Sequence, residues 1–289
     1  MRAGVRLCAL AAVIAVAAIS GCSSAPTGHP LGAAGGIPAY WTRSRLLGAT
    51  PWREPGYRPG RSANAHPARL SPRVGALFEH DASGNHFCTA SVVTSPGRDL
   101  LITAAHCING GKGGGYRQDL VFIPGYRDGQ APYGIWTPAQ LIVAPQWMTS
   151  SDPDLDVGFV VLESHDGKNI EQVLGANKLG IDPGYRNLVL VTGYPASVDA
   201  PISCTNWTSE QSPSQLRFDC GGFTGGTSGS PWLTDFDRQT RTGTIVGVLG
   251  GYQQGGDTPA ISYSAYLGEQ VLALYRQAIA DEAGNGAGA

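Results

Sequence analysis

Three residues are of the kinds that together attack a carbonyl and move its protons: a serine, a histidine and an aspartate. Ser228 lies in Gly225-Gly226-Thr227-Ser228-Gly229-Ser230-Pro231. Glycine permits backbone conformations that a side chain blocks. A serine on such a turn can therefore stand exposed while neighbouring N–H groups converge on one point, as the stabilisation of an oxyanion requires. His106 lies in Thr103-Ala104-Ala105-His106-Cys107, after the apolar run Leu100-Leu101-Ile102. The two alanines leave an imidazole room to turn toward a cleft. Asp156 opens Asp156-Val157-Gly158-Phe159-Val160-Val161-Leu162. A carboxylate at the mouth of a buried strand is held rigidly and poorly solvated, which suits a group that orients an imidazole. Asp154 is a rival for that role, but only Asp156 is followed by a small residue and an unbroken apolar run.

The elements that must position these groups read as β-structure. Of 289 residues, 42% are hydrophobic and only 15% charged, while glycine (41) and proline (20) are plentiful. This composition suits a turn-rich β protein. Apolar runs at 74–78, 87–94, 100–104, 120–123, 141–144, 157–162, 188–192, 215–219, 232–234, 244–249 and 260–263 alternate with turn clusters, as in an antiparallel barrel or sandwich. Leu267, Val271, Leu272 and Tyr275 recur at helical spacing and predict one helix over 266–280. The net charge of −2 carries no basic excess that would point to nucleic acid.

The chain opens with Arg2 and Arg6, an apolar run from Leu7 to Ile19, and then Ile19-Ser20-Gly21-Cys22. The run is too short to span a membrane comfortably and reads as a secretory signal over 1–22. Its end resembles the bacterial lipobox, which implies a lipidated Cys22 and a cell-surface or extracellular protein anchored to the membrane by acyl chains. Residues 23–70, rich in Pro, Gly and Arg, read as a flexible tether or propeptide reaching ~35–40 Å. Trp41 and Trp52 are unusual in a tether and leave room for part of 37–55 to pack onto the domain. The domain itself is expected over 71–281, with a disordered tail over 282–289.

Besides Cys8 in the signal and Cys22, four cysteines remain: Cys88, Cys107, Cys204 and Cys220. Four allow three connectivities. Local pairing, Cys88–Cys107 and Cys204–Cys220, closes two short loops, each worth roughly 3 kcal/mol in the chain-entropy model. An even count suits an oxidising compartment. No Cys-x-x-Cys pair suggests zinc. Asp152, Asp154, Asp156 and Glu163 fall at calcium-loop spacing, but Val157 stands where such a loop needs glycine. No metal and no cofactor are expected.

Taken together, the three motifs resemble those of the chymotrypsin-fold serine peptidases. The order His, Asp, Ser is that family's, whereas α/β-hydrolases run Ser, Asp, His. Gly226-Thr227-Ser228-Gly229-Ser230-Pro231 is similar to the serine motif of the bacterial, glutamyl-endopeptidase-like branch. The resemblance covers roughly 71–280. It implies an all-β fold of two six-stranded antiparallel barrels with a C-terminal helix, and a monomeric serine endopeptidase acting on peptide or protein through an acyl-enzyme. It implies Ser228 as nucleophile, His106 as general base and acid, Asp156 as the orienting carboxylate, and the N–H groups of Gly226 and Ser228 as the oxyanion hole. A non-catalytic cell-surface binding module on the same fold is the alternative.

Two departures from the family matter. Animal relatives place an aspartate before the nucleophile, to pair with an N-terminus freed on activation. Thr227 stands there, so that ion pair cannot form, and activity without cleavage is expected. Trypsin-like enzymes carry a pocket aspartate six residues before the serine. Here that residue is Gly222, followed by Phe223 and Thr224. Glutamyl endopeptidases use a histidine in the strand after the serine, and Leu249 stands in the matching stretch. With Gly250 and Gly251 as the cleft edge, this pocket implies a preference for neutral side chains.

Overall fold

The computed structural model describes residues 29–30, 36–51, 64–69 and 71–285. Twelve long strands form two sheets that follow one another along the chain. The first comprises β1 (Val74–Asp81), β2 (Gly84–Val92), β3 (Leu100–Thr103), β4 (Val121–Pro124), β5 (Pro138–Val143) and β6 (Gly158–Leu162), paired antiparallel in the order β5-β6-β3-β2-β1-β4. It closes where Phe122 of β4 and Trp136, just ahead of β5, exchange N–H to carbonyl bonds of 2.8 and 2.9 Å. The second comprises β7 (Leu188–Gly193), β8 (Ile202–Ser212), β9 (Gln215–Asp219), β10 (Pro231–Asp237), β11 (Thr242–Val248) and β12 (Ile261–Ala265), in the order β11-β10-β7-β8-β9-β12. It is drawn together where Gly250 N–H, just beyond β11, donates to the Tyr263 carbonyl of β12 at 2.9 Å.

The expected pair of six-stranded antiparallel barrels is thus present, its long strands forming two antiparallel sheets. Two-residue strands extend each sheet: His29–Pro30 on β5 and Thr50–Pro51 on β2, then His66–Pro67 on β8 and Lys178–Leu179 on β11. The second and fourth of these run parallel to their neighbours, a departure from a purely antiparallel fold.

Side-chain alternation along a strand explains the three cores. Leu101 and Val160 point into the first sheet's interior with Leu77, Phe122 and Trp136. Leu100, Ile102, Phe159 and Val161, their neighbours in sequence, point the other way and meet Leu233, Ile245 and Val248 between the two sheets. Val191, Leu216, Phe218 and Trp232 fill the second. Burying a side chain such as Phe159 completely stabilises the fold by roughly 1.5–3 kcal/mol. The C-terminal helix, Glu269–Asn285, closes the seam with Val271, Leu274 and Ala278. It starts later than the spacing predicts, because the N–H of Tyr266 is held by the Ser214 carbonyl at 2.8 Å. Leu274, not Leu272, carries the buried stripe. The helix continues past residue 281, into the stretch expected to be a tail.

β8 escapes the apolar-run pattern. Only Ile202, Cys204 and Thr208 of its residues are buried, and polar side chains occupy most other positions. Within the stretch read as tether or propeptide, residues 36–51 pack onto the first sheet through the short helices Ile37–Tyr40 and Arg43–Leu47. Trp41 and Leu46 are each 3% exposed and join Val74, Ala76, Phe78 and Tyr126 in a fourth cluster. Residues 1–22, Trp52 and the tail beyond Asn285 lie outside the described residues. The disulfides Cys88–Cys107 and Cys204–Cys220 are both formed, which fits export to an oxidising compartment. No helix among the described residues is long and apolar enough to cross a membrane.

Candidate active site

His106 sits in one tight helical turn, Ala105–Cys107, directly after β3. The turn follows Ala104, extended at φ −75 and ψ 146, and all three of its residues are buried. The Cys88–Cys107 disulfide ties the turn back to β2. Asp156 ends the turn Pro153–Leu155 and leads into β6, whose pairing with β3 brings the two residues together.

The Asp156 carboxylate is wholly buried and accepts three N–H groups. His106 Nδ1 lies 2.8 Å from Oδ2, the His106 backbone N–H 2.9 Å from Oδ1, and the Gly251 backbone N–H 2.8 Å from Oδ2. A buried charge is tolerable only when its lone pairs are satisfied in this way. An ionised carboxylate can only accept, so Nδ1–H is the donor to Oδ2, and in the neutral ring the lone pair then lies on Nε2. Asp154 instead accepts from Gln215 Nε2 at 2.7 Å and braces β9, while Asp152 caps its own turn. Glu163 is exposed past the end of β6. The four acids at calcium-loop spacing therefore serve separate tasks. Among the described residues only Cys88, His106 and Cys107 gather as a metal set would, and their sulfurs are joined in the disulfide.

The loop around Ser228 is closed upon itself. Thr227 N–H and Oγ1–H both donate to the Thr224 carbonyl, at 3.2 and 2.6 Å, and Ser230 N–H and Oγ–H both donate to the Thr227 carbonyl, at 3.0 and 2.6 Å. Gly229 N–H donates to Leu249 O at 2.7 Å. Gly226 and Gly229 adopt φ +91 and +83, open to glycine with little strain. A Cβ on Gly229 would collide with the Thr89 carbonyl and Thr103 Oγ1 and stand 3.2 Å from Ala104 N. The loop is therefore docked on the strand end that carries His106. Its other anchor is Thr89 N–H, which donates to Ser228 O at 2.7 Å. Ser228 is partly exposed, while residues 225–227, 229 and 230 are buried. Among the described residues, the N–H groups of Gly226 and Ser228 donate to no acceptor, and no hydrogen bond joins Ser228 Oγ to His106. Such a bond often tightens only once substrate is bound.

No family model and no curated protein matches the chain. Solved structures do. Protease Anisep from Arthrobacter nicotinovorans superposes with a TM-score of 0.67 at 26% identity, covering 75% of this chain and 99% of its own. The thermostable serine protease AL20, from an extremophilic microorganism, gives 0.66 at 26%, covering 73% and 98%. A Glu endopeptidase gives 0.59 at 15%, covering 75% and 97%. The fold is that of the chymotrypsin-like serine proteases.

Beside Ser228, this protease fold leaves a small pocket lined by Phe223, Thr224, Gly225, Thr227, Ser228, Leu249, Gln254, Gly255 and Gly256. Three of the expected pocket residues, Phe223, Thr224 and Leu249, line it. Gly222, Gly250 and Gly251 lie outside that lining. Gly222 is exposed, with Ala65 Cβ 3.4 Å from where its own Cβ would be. Gly250 N–H is spent on Tyr263, and Gly251 N–H on the Asp156 carboxylate. The sequence reading overlooks Gln254, Gly255 and Gly256. Gln253 and Gln254 take positive φ of 54 and 51, which swings the chain back over Leu249, and a Cβ on Gly255 would stand 2.5 Å from Leu249 Cδ2. The cluster Gln253-Gln254-Gly255-Gly256 was the available signal, a turn one step beyond the strand.

Proposed function

We propose that this chain is an exported serine endopeptidase, held at the cell surface through Cys22. The observation that carries the reading is the three-donor cage around Asp156. It fixes the His106 tautomer with Nε2 free, beside a loop that exposes Ser228 and two unspent N–H groups. In the reaction, Ser228 Oγ attacks the scissile carbonyl as His106 Nε2 takes its proton. The carbonyl oxygen becomes an oxyanion and accepts the Gly226 and Ser228 N–H groups. The C–N bond breaks as the imidazolium returns the proton to the leaving amine, leaving an acyl ester on Ser228. Water, deprotonated by His106, then cleaves that ester and regenerates the hydroxyl. Losing one oxyanion donor typically costs roughly 10²–10³ in rate.

A fluorophosphonate probe tests the reading directly. Native protein is expected to take up one adduct, located by peptide mapping on Ser228, and denatured protein none. No adduct on native protein, or an adduct elsewhere, removes the proposed nucleophile.

The pocket lining contains no charged side chain, so a neutral residue before the cleaved bond is the expected preference. Profiling with a peptide library checks this. A profile dominated by Arg, Lys or Glu at that position would refute it.

A further inference from the structure

Gly226 supplies one oxyanion donor, and a glycine at positive φ has little of its own to stop its peptide from rotating. The restraint comes from outside the loop. The Phe87 ring fills the place where a Gly226 side chain would go, and the Tyr194 carbonyl stands 2.7 Å from the same point. Thr89 Oγ1–H donates to the Gly226 carbonyl at 3.0 Å and itself accepts Tyr194 N–H at 3.0 Å. Ala196 N–H donates to the Gly225 carbonyl at 2.8 Å.

Phe87 is in turn held by the segment ahead of the domain. Thr50–Pro51 runs parallel to β2 with Pro51 paired to Phe87, and Thr50 Oγ1 reaches Asn85 O at 3.4 Å. Phe87 lies 5.9 Å from Phe78, whose ring is 5.2 Å from that of Trp41. Leu46, Phe87, Tyr194 and Ala196 line one small cavity, so the segment, the aromatic wedge and the turn behind the loop share a single packing unit. Further along, Ala65 N–H donates to Gly221 O at 2.8 Å, holding the other end of the same loop.

We propose that residues 36–51 form a permanent strap that fixes the Gly226 N–H through Phe87, so that Trp41 and Phe87 are positioning residues for the oxyanion hole. The strap does the work that an ion pair to a freed N-terminus cannot do here, because Thr227 offers no charge. This inference rests on the proposed protease reading.

The test uses the full chain with Trp41→Ala and Trp41→Phe, assayed on an activated ester and with the fluorophosphonate. Trp41→Ala, folded by circular dichroism, is expected to lower kcat roughly 10–100-fold, somewhat less than outright loss of a donor. KM is expected to stay near the native value, and phosphonylation of Ser228 to slow in parallel. Trp41→Phe keeps a ring against Phe78 and is expected to recover most of the rate. A folded Trp41→Ala with native kcat, or one changed only in KM, overturns the strap. Should Trp41→Ala fail to fold, Leu46→Ala and Leu46→Met make the same comparison. A native chain that neither turns over ester nor takes the probe defeats the protease reading as well. An active native chain with indifferent variants defeats the strap alone.

Discussion

Replacing Ser228 with alanine is expected to lower kcat on a fluorogenic peptide by roughly 10⁶-fold, the scale seen when a triad nucleophile is removed. The side chain loses only its hydroxyl, and among the described residues that hydroxyl has no hydrogen bond to lose. The backbone bonds that shape the loop, Thr89 N–H to Ser228 O and Ser230 N–H to Thr227 O, are untouched by the change. Stability is therefore expected to stay within about 0.5 kcal/mol of native, as for most substitutions that break no packing or hydrogen bond. The pair of measurements is what makes the result informative: activity collapses while the melting temperature does not move. More than a hundredth of native activity in Ser228→Ala would assign the attack to another group. A large drop in melting temperature would mean that the loop, rather than the chemistry, had failed.

Asp156→Asn is expected to lower kcat by roughly 10⁴-fold, with KM little changed. An amide offers one oxygen where the carboxylate offers two, and three N–H groups now converge on those two oxygens. The introduced NH₂ must face one of these donors. If it faces His106 Nδ1, the ring relieves the clash by moving its proton to Nε2, and Nε2 can then no longer receive the Ser228 proton. The histidine tautomer, read from nitrogen NMR shifts, is expected to switch in the same variant. Activity within tenfold of native would show that Asp156 does not orient the base and would return Asp154 to consideration, even though its own bond runs to Gln215.

How much could be read in the sequence depended on which faces of each element are buried. β3 and β6 stood out as unbroken apolar runs because one face of each fills the first sheet and the other fills the seam. β8 has a wet face and no such run, and it passed unnoticed. Asp156 could be preferred to Asp154 because a strand begins next to it. The disulfides could be paired because each closes a short loop, and both pairings are present. That the Gly250 N–H serves Tyr263 O and the Gly251 N–H the Asp156 carboxylate could not be read, since the sequence does not record which way a backbone N–H points. Nor could the contribution of Gln254 to the pocket, which depends on two successive residues of positive φ. The burial of Trp41 depends on Phe78 and its neighbours in the first sheet, a partnership that no local pattern announces.

The seam between the two sheets has a kinetic consequence. Thr89 of the first sheet bonds to both Ser228 and Gly226 of the second half, Gly229 is fitted against the Thr89 carbonyl and Thr103 Oγ1 without room for a methyl group, and Tyr275 Oη–H reaches back to Thr94 O at 2.8 Å. Sliding one half past the other by an ångström would break several of these at once. Such a joint resists any parting of the halves. On the proposed protease reading, turnover is then expected to be paced by bond-making and bond-breaking at the acyl carbon, with no closure of the two halves preceding them.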